Sequence, residues 1–400
     1  MHVAIVGAGQ AGAAAAAKLR ALGHQGAITL LGDEPVAPYQ RPPLSKAYLL
    51  GQMPLERMTL RGDGFWADQG IALRKGAEVV AIDPAARQLS LADGKVLGWD
   101  RLILATGAAV RRLPDAMGGN LAGVHHVRTL ADADAMAPEF VADRRVLIVG
   151  GGYIGLEAAA VAAAKGLKVT LIEAAPRILQ RVASVETADW FRDLHRRHGV
   201  EILEGTALSR LTAVNGRVSG ADLADGRHIP CDFAIVGVGV SPGVALAEAA
   251  GIAIDNGIAT DAFGQTSADG IWAAGDCASF PLGDRRIRLE SVPNAIEMAE
   301  TVAANILGAG KEHRPDVWFW SDQHDVKLQI AGLDTGHDQV VVRQVGAARS
   351  HWNFAAGRLV SVDAMNDPRA FMIARRVIQG QRAVDPAQVG DPAFDLKSLM

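Results

Sequence analysis

Two stretches decide the fold of this 400-residue chain: HVAIVGAGQAG at residues 2–12 and RVLIVGGGYIG at residues 145–155. Each is a short apolar strand that runs into G-x-G-x-x-G and then into an alanine-rich segment long enough for a helix. Each is followed by a second apolar strand that ends in an acid, at Asp33 and Glu34 in the first copy and at Glu173 in the second. The repeated pattern predicts two βαβ units, each the start of a parallel sheet.

The three glycines of each motif have separate tasks. The first makes a tight turn, the second lets the backbone approach a pyrophosphate, and the third lets the helix pack closely on the strand. They are Gly7, Gly9 and Gly12 in the first copy and Gly150, Gly152 and Gly155 in the second. An acid at the end of the second strand accepts hydrogen bonds from ribose hydroxyls and repels a 2′-phosphate. Glu173 therefore favours NADH over NADPH, although Arg177 and Arg181 nearby favour the reverse. Two such motifs predict electron transfer between a nicotinamide and a flavin.

Composition excludes several other classes. Hydrophobic residues make up 49% of the chain and charged residues 21%, which is typical of a folded enzyme of more than one domain. The net charge of −4 gives no basic excess for nucleic acid, and no apolar run is long enough to span a membrane. The two cysteines, Cys231 and Cys277, form neither a disulfide framework nor a metal-ligand cluster. We expect a soluble, cytoplasmic protein without a metal.

The order of patterns along the chain predicts an α/β protein with two Rossmann-like dinucleotide-binding domains and a C-terminal α+β domain. We assign residues 1–112 and 238–317 to the first domain, because the chain returns there with a loop that presents Asp276 beside a cofactor. Residues 113–237 form the second domain. From Trp318 the pattern changes to antiparallel strands and one helix, so residues 318–400 form the third.

Several motifs, taken in order, resemble one family: GAGQAG, RPPLSKAYL, LILATG, GGGYIGLE, TSADGIWAAGDCA, RLESVPNA and WFWSDQ. The chain is similar over nearly its whole length to the FAD-dependent ferredoxin reductases of bacterial oxygenase systems, the putidaredoxin reductase type. That resemblance implies a glutathione-reductase-like architecture, FAD and NADH as cofactors, and a small two-iron ferredoxin as electron acceptor. The ferredoxin would feed a cytochrome monooxygenase or a ring-hydroxylating dioxygenase, and the reductase would be a monomer or a weak dimer.

The resemblance also implies which residues hold FAD. The pyrophosphate would lie against Gly7, Gly9, Ala11 and Gly12, and the adenosine ribose against Asp33 or Glu34, between which the sequence does not choose. Six further positions complete the implied FAD site: Arg41 and Lys46 over the flavin, Val79 near the adenine, Arg128 near the phosphates, Asp276 at the ribityl chain and Val292 at the isoalloxazine edge. Many relatives have Trp in place of Val292.

For NADH, the resemblance places the pyrophosphate and ribose on one group of residues: Gly152, Tyr153, Ile154, Gly155 and Glu173, with Gly239 beside the nicotinamide. Tyr153 would cover the flavin when nicotinamide is absent. Lys46 and Glu157, from the two cofactor domains, would meet near the flavin N5, where an ammonium stabilises the charge that hydride transfer leaves. Trp320 would lie beside the flavin on the face where the ferredoxin docks.

Two other functions compete with this interpretation. A disulfide or peroxide reductase of the same fold needs a cysteine near the flavin, and residues 1–230 contain none. A flavoprotein of the apoptosis-inducing-factor type usually carries a targeting segment, whereas here the first strand begins within four residues of Met1. For docking of an acidic ferredoxin, the nearest basic candidates are Arg285, Arg286 and Arg288, with a structural role as the alternative for Arg288.

Overall fold

The computed structural model describes residues 1–62, 64–334 and 336–400. The chain divides into two compact units. The first consists of Met1–Gln40, Pro54–Ala109 and Val240–Asp316, and the second of Arg41–Met53, Val110–Gly239 and Val317–Met400. The segment Arg41–Met53, which we expected in the first domain, thus groups with the second unit. The three-domain division of the sequence stays a prediction.

The first unit is built on a five-stranded parallel sheet. In spatial order its strands are Ile271–Ala273, Arg101–Leu104, Val3–Val6, Ile28–Leu31 and Ile71–Arg74. The central strand pairs in parallel register with both neighbours, Val3 opposite Ile28 on one side and Arg101 on the other. Every residue of the central strand is buried, as expected for a parallel sheet covered on both faces, and this explains its continuous apolar sequence.

Two helices of the first unit pack against each other, Gln10–Ala21 after the first glycine turn and Val292–Ile306 near the end of the unit. The other helices are Leu55–Met58, Phe65–Asp68 and Ala245–Ala249. The remaining strands are Val79–Asp83, Gln88–Leu91, Val96–Gly98, Ala108–Val110, Val240–Pro242, Ile258–Ala259, Ala278–Leu282 and Arg285–Ile287. The sequence places the start of the last long helix near Ala295, but it begins at Val292, because the Ser291 hydroxyl accepts the Asn294 amide and caps the helix.

The second unit repeats the parallel arrangement. Its five-stranded sheet has the order Glu201–Leu203, Lys168–Ile172, Arg145–Val149, Phe233–Val236 and Val124–His125. The flanking helices are Leu130–Met136, Tyr153–Ala164 and Val185–Arg197, and a three-stranded antiparallel sheet is formed by Leu208–Val214, Arg217–Leu223 and His228–Pro230. Short 3₁₀ turns are Pro42–Ser45, Asp115–Met117 and Ala137–Glu139.

The C-terminal part of the second unit is the predicted α+β region. Its antiparallel sheet has the spatial order Trp318–Gln323, Val326–Gly332, Arg358–Met365, Ala348–Ala355 and Gln339–Val345. Helices Pro368–Gln379 and Pro386–Gly390 and the 3₁₀ turn Leu396–Leu399 follow, and a core around Trp352, Phe354 and Phe371 joins helix to sheet. The two parallel sheets and this third region confirm the predicted fold class. Among the described residues, no helix is both long enough and apolar enough to cross a membrane.

Candidate active site

Of the three glycines in the first turn, only the middle one has room for a ligand beside it. Gly7 has φ +109°, and a Cβ there would lie 2.1 Å from the Ala105 carbonyl oxygen. A Cβ on Gly12 would lie 1.9 Å from the Gly7 carbonyl oxygen. A Cβ on Gly9 would meet nothing within 4 Å. Packing of the chain itself thus requires Gly7 and Gly12, whereas Gly9 faces open space at a helix N-terminus, as a pyrophosphate site requires.

The second glycine turn has the same pattern. Gly150 also has φ +109°, and a Cβ there would lie 2.4 Å from the Gly237 carbonyl oxygen. A Cβ on Gly155 would lie 2.0 Å from the Gly150 carbonyl oxygen, and a Cβ on Gly152 would again meet nothing within 4 Å. The residues present therefore fit a dinucleotide phosphate at both turns.

The acids after the second strands have different partners in the two units. In the first unit, the Tyr39 hydroxyl donates to Glu34 Oε2 over 2.7 Å, while Asp33 Oδ1 accepts the Glu34 amide over 3.1 Å. In the second unit, the two oxygens of Glu173 accept the amides of Gly151 and Ala175, each over 2.7 Å. A carboxylate has about four acceptor sites, so Glu173 keeps capacity for ribose hydroxyls.

Lys46 and Glu157 meet, as we expected from the resemblance. Lys46 Nζ lies 3.0 Å from Glu157 Oε1, with side chains 14% and 7% exposed, and 3.4 Å from Asp322 Oδ2. Two hydroxyls also donate to Glu157, Ser45 to Oε2 over 2.7 Å and Ser321 to Oε1 over 2.6 Å. Burial raises the pKa of the Glu157 carboxyl, and Lys46, Ser321 and Ser45 oppose that rise. The pair forms because the 3₁₀ turn Pro42–Ser45 and the helix that begins at Tyr153 pack together.

The motifs GGGYIGLE and WFWSDQ, which supply Glu157 and Ser321, also contain four aromatic residues. The Tyr153 ring packs on Phe319 with 4.8 Å between centroids, and the Trp318 and Trp320 rings are 5.6 Å apart. Trp318 also packs edge-on against Phe371 of the C-terminal core, at 5.9 Å. Trp318 is therefore held by the C-terminal core. Trp320, which contacts Trp318, is half-buried.

The other predicted cofactor residues lie at ends of elements. Arg41 Nη1 donates to the Arg128 carbonyl oxygen over 2.6 Å, which brings these two residues together. Asp276 follows the strand Ile271–Ala273, and its carbonyl oxygen accepts from Arg288. Val292 is the first residue of its helix.

Four further predicted residues lie close to the glycine turns or to strand starts. Val79 is buried at the start of its strand. Ile154 is 42% exposed on the second turn, and Ala11 is 7% exposed on the first. The carbonyl oxygen of Gly239 accepts the Arg111 amide over 3.0 Å.

Comparisons with known proteins agree with this geometry. A family model described as pyridine nucleotide-disulphide oxidoreductase matches residues 1–299, and one described as reductase C-terminal matches residues 318–400. A ferredoxin–NAD(P)⁺ reductase from a Sphingomonas species is 42% identical, with 100% of this chain and 97% of that protein covered. Putidaredoxin reductase from Pseudomonas putida is 40% identical, with 100% and 96% covered. The crystal structure of a covalent putidaredoxin reductase–putidaredoxin complex has a TM-score of 0.95 at 40% identity, with 100% and 97% covered.

This chain belongs to the ferredoxin reductase family. The expected resemblance is thus confirmed, and with it FAD and NADH as the cofactors of the family.

Sequence reasoning missed Ser45 and Ser321, the two hydroxyl donors to Glu157. Each is next to a residue that the motifs single out, Ser45 before Lys46 and Ser321 after Trp320. The available signal was a hydroxyl residue adjacent to each predicted site residue, but serines in loops and strands are too common for that signal to decide.

Proposed function

We propose that this ferredoxin reductase is the electron-supplying component of an oxygenase system. It takes two electrons as hydride from NADH and passes them one at a time to two molecules of a small two-iron ferredoxin, releasing NAD⁺ and one proton. FAD supplies the conversion between a two-electron donor and a one-electron acceptor. The observation that carries this proposal is the pair of glycine turns that both leave open space at the middle glycine, combined with the buried Lys46–Glu157 pair.

We assign the first turn to FAD and the second to NADH. Arg177 supports NADH over NADPH, because its guanidinium donates to backbone carbonyls of the following loop, including Ala183 at 2.9 Å, and so is engaged away from a 2′-phosphate. Glu173 would be the acid that binds the ribose of NADH, and Lys46 would be the cation beside the flavin N5. There an ammonium held by Glu157 stabilises negative charge that arrives with the hydride.

The cysteines argue against thiol chemistry. Burial raises the pKa of Cys231 to about 12 and also raises the pKa of Cys277, so both stay protonated thiols at neutral pH. The Cys277 sulfur donates to the carbonyls of Leu104 and Ala274 inside the core of the first unit. Two buried, reduced cysteines also support a location in the reducing cytoplasm.

For electron exit we propose Trp320 as the side chain between flavin and ferredoxin. Of the three arginines suggested for docking, Arg286 donates to the Thr260 and Ser279 carbonyls at 2.8 and 2.7 Å, so it holds its own loop. Arg288 pairs with Glu290 and donates to the Asp276 carbonyl at 3.2 Å, so it has the structural role. Arg285 is exposed and is the better candidate for steering an acidic partner.

The test uses the purified holoenzyme. We expect a yellow protein whose absorption is bleached by NADH in single-turnover stopped-flow measurements, and then recovers when an oxidised two-iron ferredoxin is added under anaerobic conditions. NADPH in place of NADH should react more slowly. A colourless folded protein, or bleaching by NADH with no electron transfer to any ferredoxin, would contradict the proposed function.

A further inference from the structure

Beyond Ser321, a series of buried polar side chains leads away from Glu157 within the second unit. Gln323 lies on the same strand as Ser321, with Gln323 Nε2 3.1 Å from Ser321 Oγ. His195 Nε2 lies 2.9 Å from Gln323 Oε1, and His324 Nε2 lies 3.2 Å from His195 Nδ1. Ser321, Gln323 and His195 are all fully buried.

The direction of each hydrogen bond follows from the carboxylate at the end. An ionised Glu157 only accepts, so the Ser321 hydroxyl must donate to it. Ser321 Oγ then accepts from the Gln323 amide nitrogen, which turns the Gln323 oxygen toward His195. His195 must donate through Nε2, which leaves Nδ1 to accept from His324. Four donors in a row therefore point toward Glu157, and bonds aligned in this way polarise one another.

The outer end of the series reaches the protein surface. The His324 ring is stacked on the exposed His198, with centroids 3.8 Å apart and 13° between planes. Burial lowers the pKa of His195 to about 4 and that of His324 to about 3. Both rings are therefore neutral at physiological pH, as the alternating donor and acceptor roles require.

The middle of the series is an amide, and this decides what the series can do. A carboxamide neither gains nor loses a proton at neutral pH, so protons do not pass through Gln323. It can, however, hold the Ser321 hydroxyl in one orientation. Without Gln323, the Ser321 hydroxyl would be oriented by Glu157 alone and no longer polarised by a second donor, so Glu157 would lose part of the stabilisation that opposes its burial.

We propose that Gln323, His195 and His324 are positioning residues for the reductase reaction proposed above. They fix the Ser321 hydroxyl on Glu157, which keeps Glu157 ionised as the partner of Lys46. The charged and polar groups that face Glu157 are Lys46 and Ser45 from the 3₁₀ segment and Ser321 from the C-terminal sheet, and Asp322 shares Lys46.

The experiment compares Gln323→Leu with wild type in the FAD-loaded enzyme. The first readout is the infrared band of the protonated carboxyl, assigned by its loss in Glu157→Gln and titrated with pH. We expect the Glu157 titration to move to higher pH by about one unit, the shift expected when a hydrogen bond to a charge is weakened by about 1.4 kcal/mol. The acid limb of the rate of flavin reduction by NADH should move in the same direction.

His351→Gln is the matched control. His351 is fully buried on the same sheet and its Nδ1 lies 2.7 Å from Thr187 Oγ1 on the same helix as His195, but this contact leads to Asp363 and not to Glu157. The His351→Gln substitution should therefore leave the Glu157 titration unchanged. An unchanged titration in Gln323→Leu, or an equal shift in His351→Gln, would overturn the proposal.

A second variant, His324→Phe, keeps the stacked ring but removes the outer donor, and should shift the titration by a smaller amount in the same direction. It decides the question if Gln323→Leu does not fold. The infrared readout requires neither NADH nor ferredoxin, so a failure of the proposed reductase function would leave this result intact.

Discussion

The two glycine turns have the same spacing and the same backbone, yet they differ in what covers them. Helix Val292–Ile306 packs over the helix that follows the first turn, and Ala11 is 7% exposed. At the equivalent position of the second turn, Ile154 is 42% exposed, and the neighbouring Tyr153 packs its ring on Phe319 and donates its hydroxyl to the Val182 carbonyl oxygen. The motif thus determines the phosphate site, while the surrounding elements determine how enclosed the site is. We expect the covered turn to retain its dinucleotide and the open turn to exchange its own in each cycle.

The largest expected effect tests whether both turns depend on the same close contact. Gly12→Val and Gly155→Val would each place a Cβ within 2.0 Å of a backbone carbonyl oxygen of the turn. Because backbone cannot move aside as a side chain can, each should cost about 3 kcal/mol or more in the free energy of unfolding. Urea unfolding followed by circular dichroism measures this cost. A variant as stable as wild type would show that the contact is not required.

The next effect separates ligand binding from folding. A Cβ on Gly9 or Gly152 meets no protein atom within 4 Å, so Gly9→Ala and Gly152→Ala should lose only about 1 kcal/mol of stability through the poorer helix cap. We expect Gly9→Ala to be purified with less FAD. Gly152→Ala should keep FAD and raise KM for NADH by about 10- to 100-fold. This corresponds to a steric cost of about 1–3 kcal/mol where the new methyl group meets the bound dinucleotide.

Absorbance per protein measures FAD, and steady-state kinetics with NADH measure the second site. Both variants should give the wild-type circular dichroism spectrum. If Gly152→Ala lost FAD and Gly9→Ala lost NADH affinity, the assignment of the two turns would be reversed.

A smaller effect concerns the acids. Glu173→Ala should reduce kcat/KM for NADH by about 30-fold, equivalent to about 2 kcal/mol for a charged hydrogen bond, and leave the FAD content unchanged. In the first unit, Asp33→Asn and Glu34→Gln, made separately, should lower FAD affinity in one case more than in the other, which identifies the acid at the ribose. A preference for NADPH in the wild type would contradict the role of Glu173.

The smallest effect is expected at the cysteines, of which each unit has one. Cys231 and Cys277 are both buried, and both have raised pKa values. Replacing both by Ser should therefore leave turnover from NADH to ferredoxin within about twofold of wild type, with a loss of about 1–3 kcal/mol of stability where a buried hydroxyl lacks a partner. Loss of turnover in the folded, FAD-loaded variant would revive thiol chemistry.

The fold could be predicted largely because its signals are local. Gly7 and Gly150 sit at sharp turns with the same φ, and the strands before them are continuous apolar runs. A strand, a turn and a helix within about 20 residues are specified by neighbouring side chains. The start of the helix at Val292 was harder to predict, because Ser291 and Asn294 are both good caps and only the backbone decides between them.

The site was predictable only in part, because it depends on contacts between distant segments. The meeting of Lys46 and Glu157 was suggested by the resemblance, but nothing local indicates it. Gln323 and His195 are separated by more than 100 positions, and each alone has the appearance of an ordinary polar residue. Only the packing of helix Val185–Arg197 beside the C-terminal strands brings them together.

The bond between Glu173 and Gly151 has a consequence for protein engineering. Redesign of coenzyme preference toward a phosphorylated nicotinamide usually begins by replacing the acid that repels the phosphate. Here that acid also holds the amide of Gly151 and that of Ala175 at 2.7 Å, so its carboxylate fixes the shape of the turn. A switched enzyme would need a neutral side chain that still accepts from Gly151, such as Gln, together with a cation introduced elsewhere in the loop.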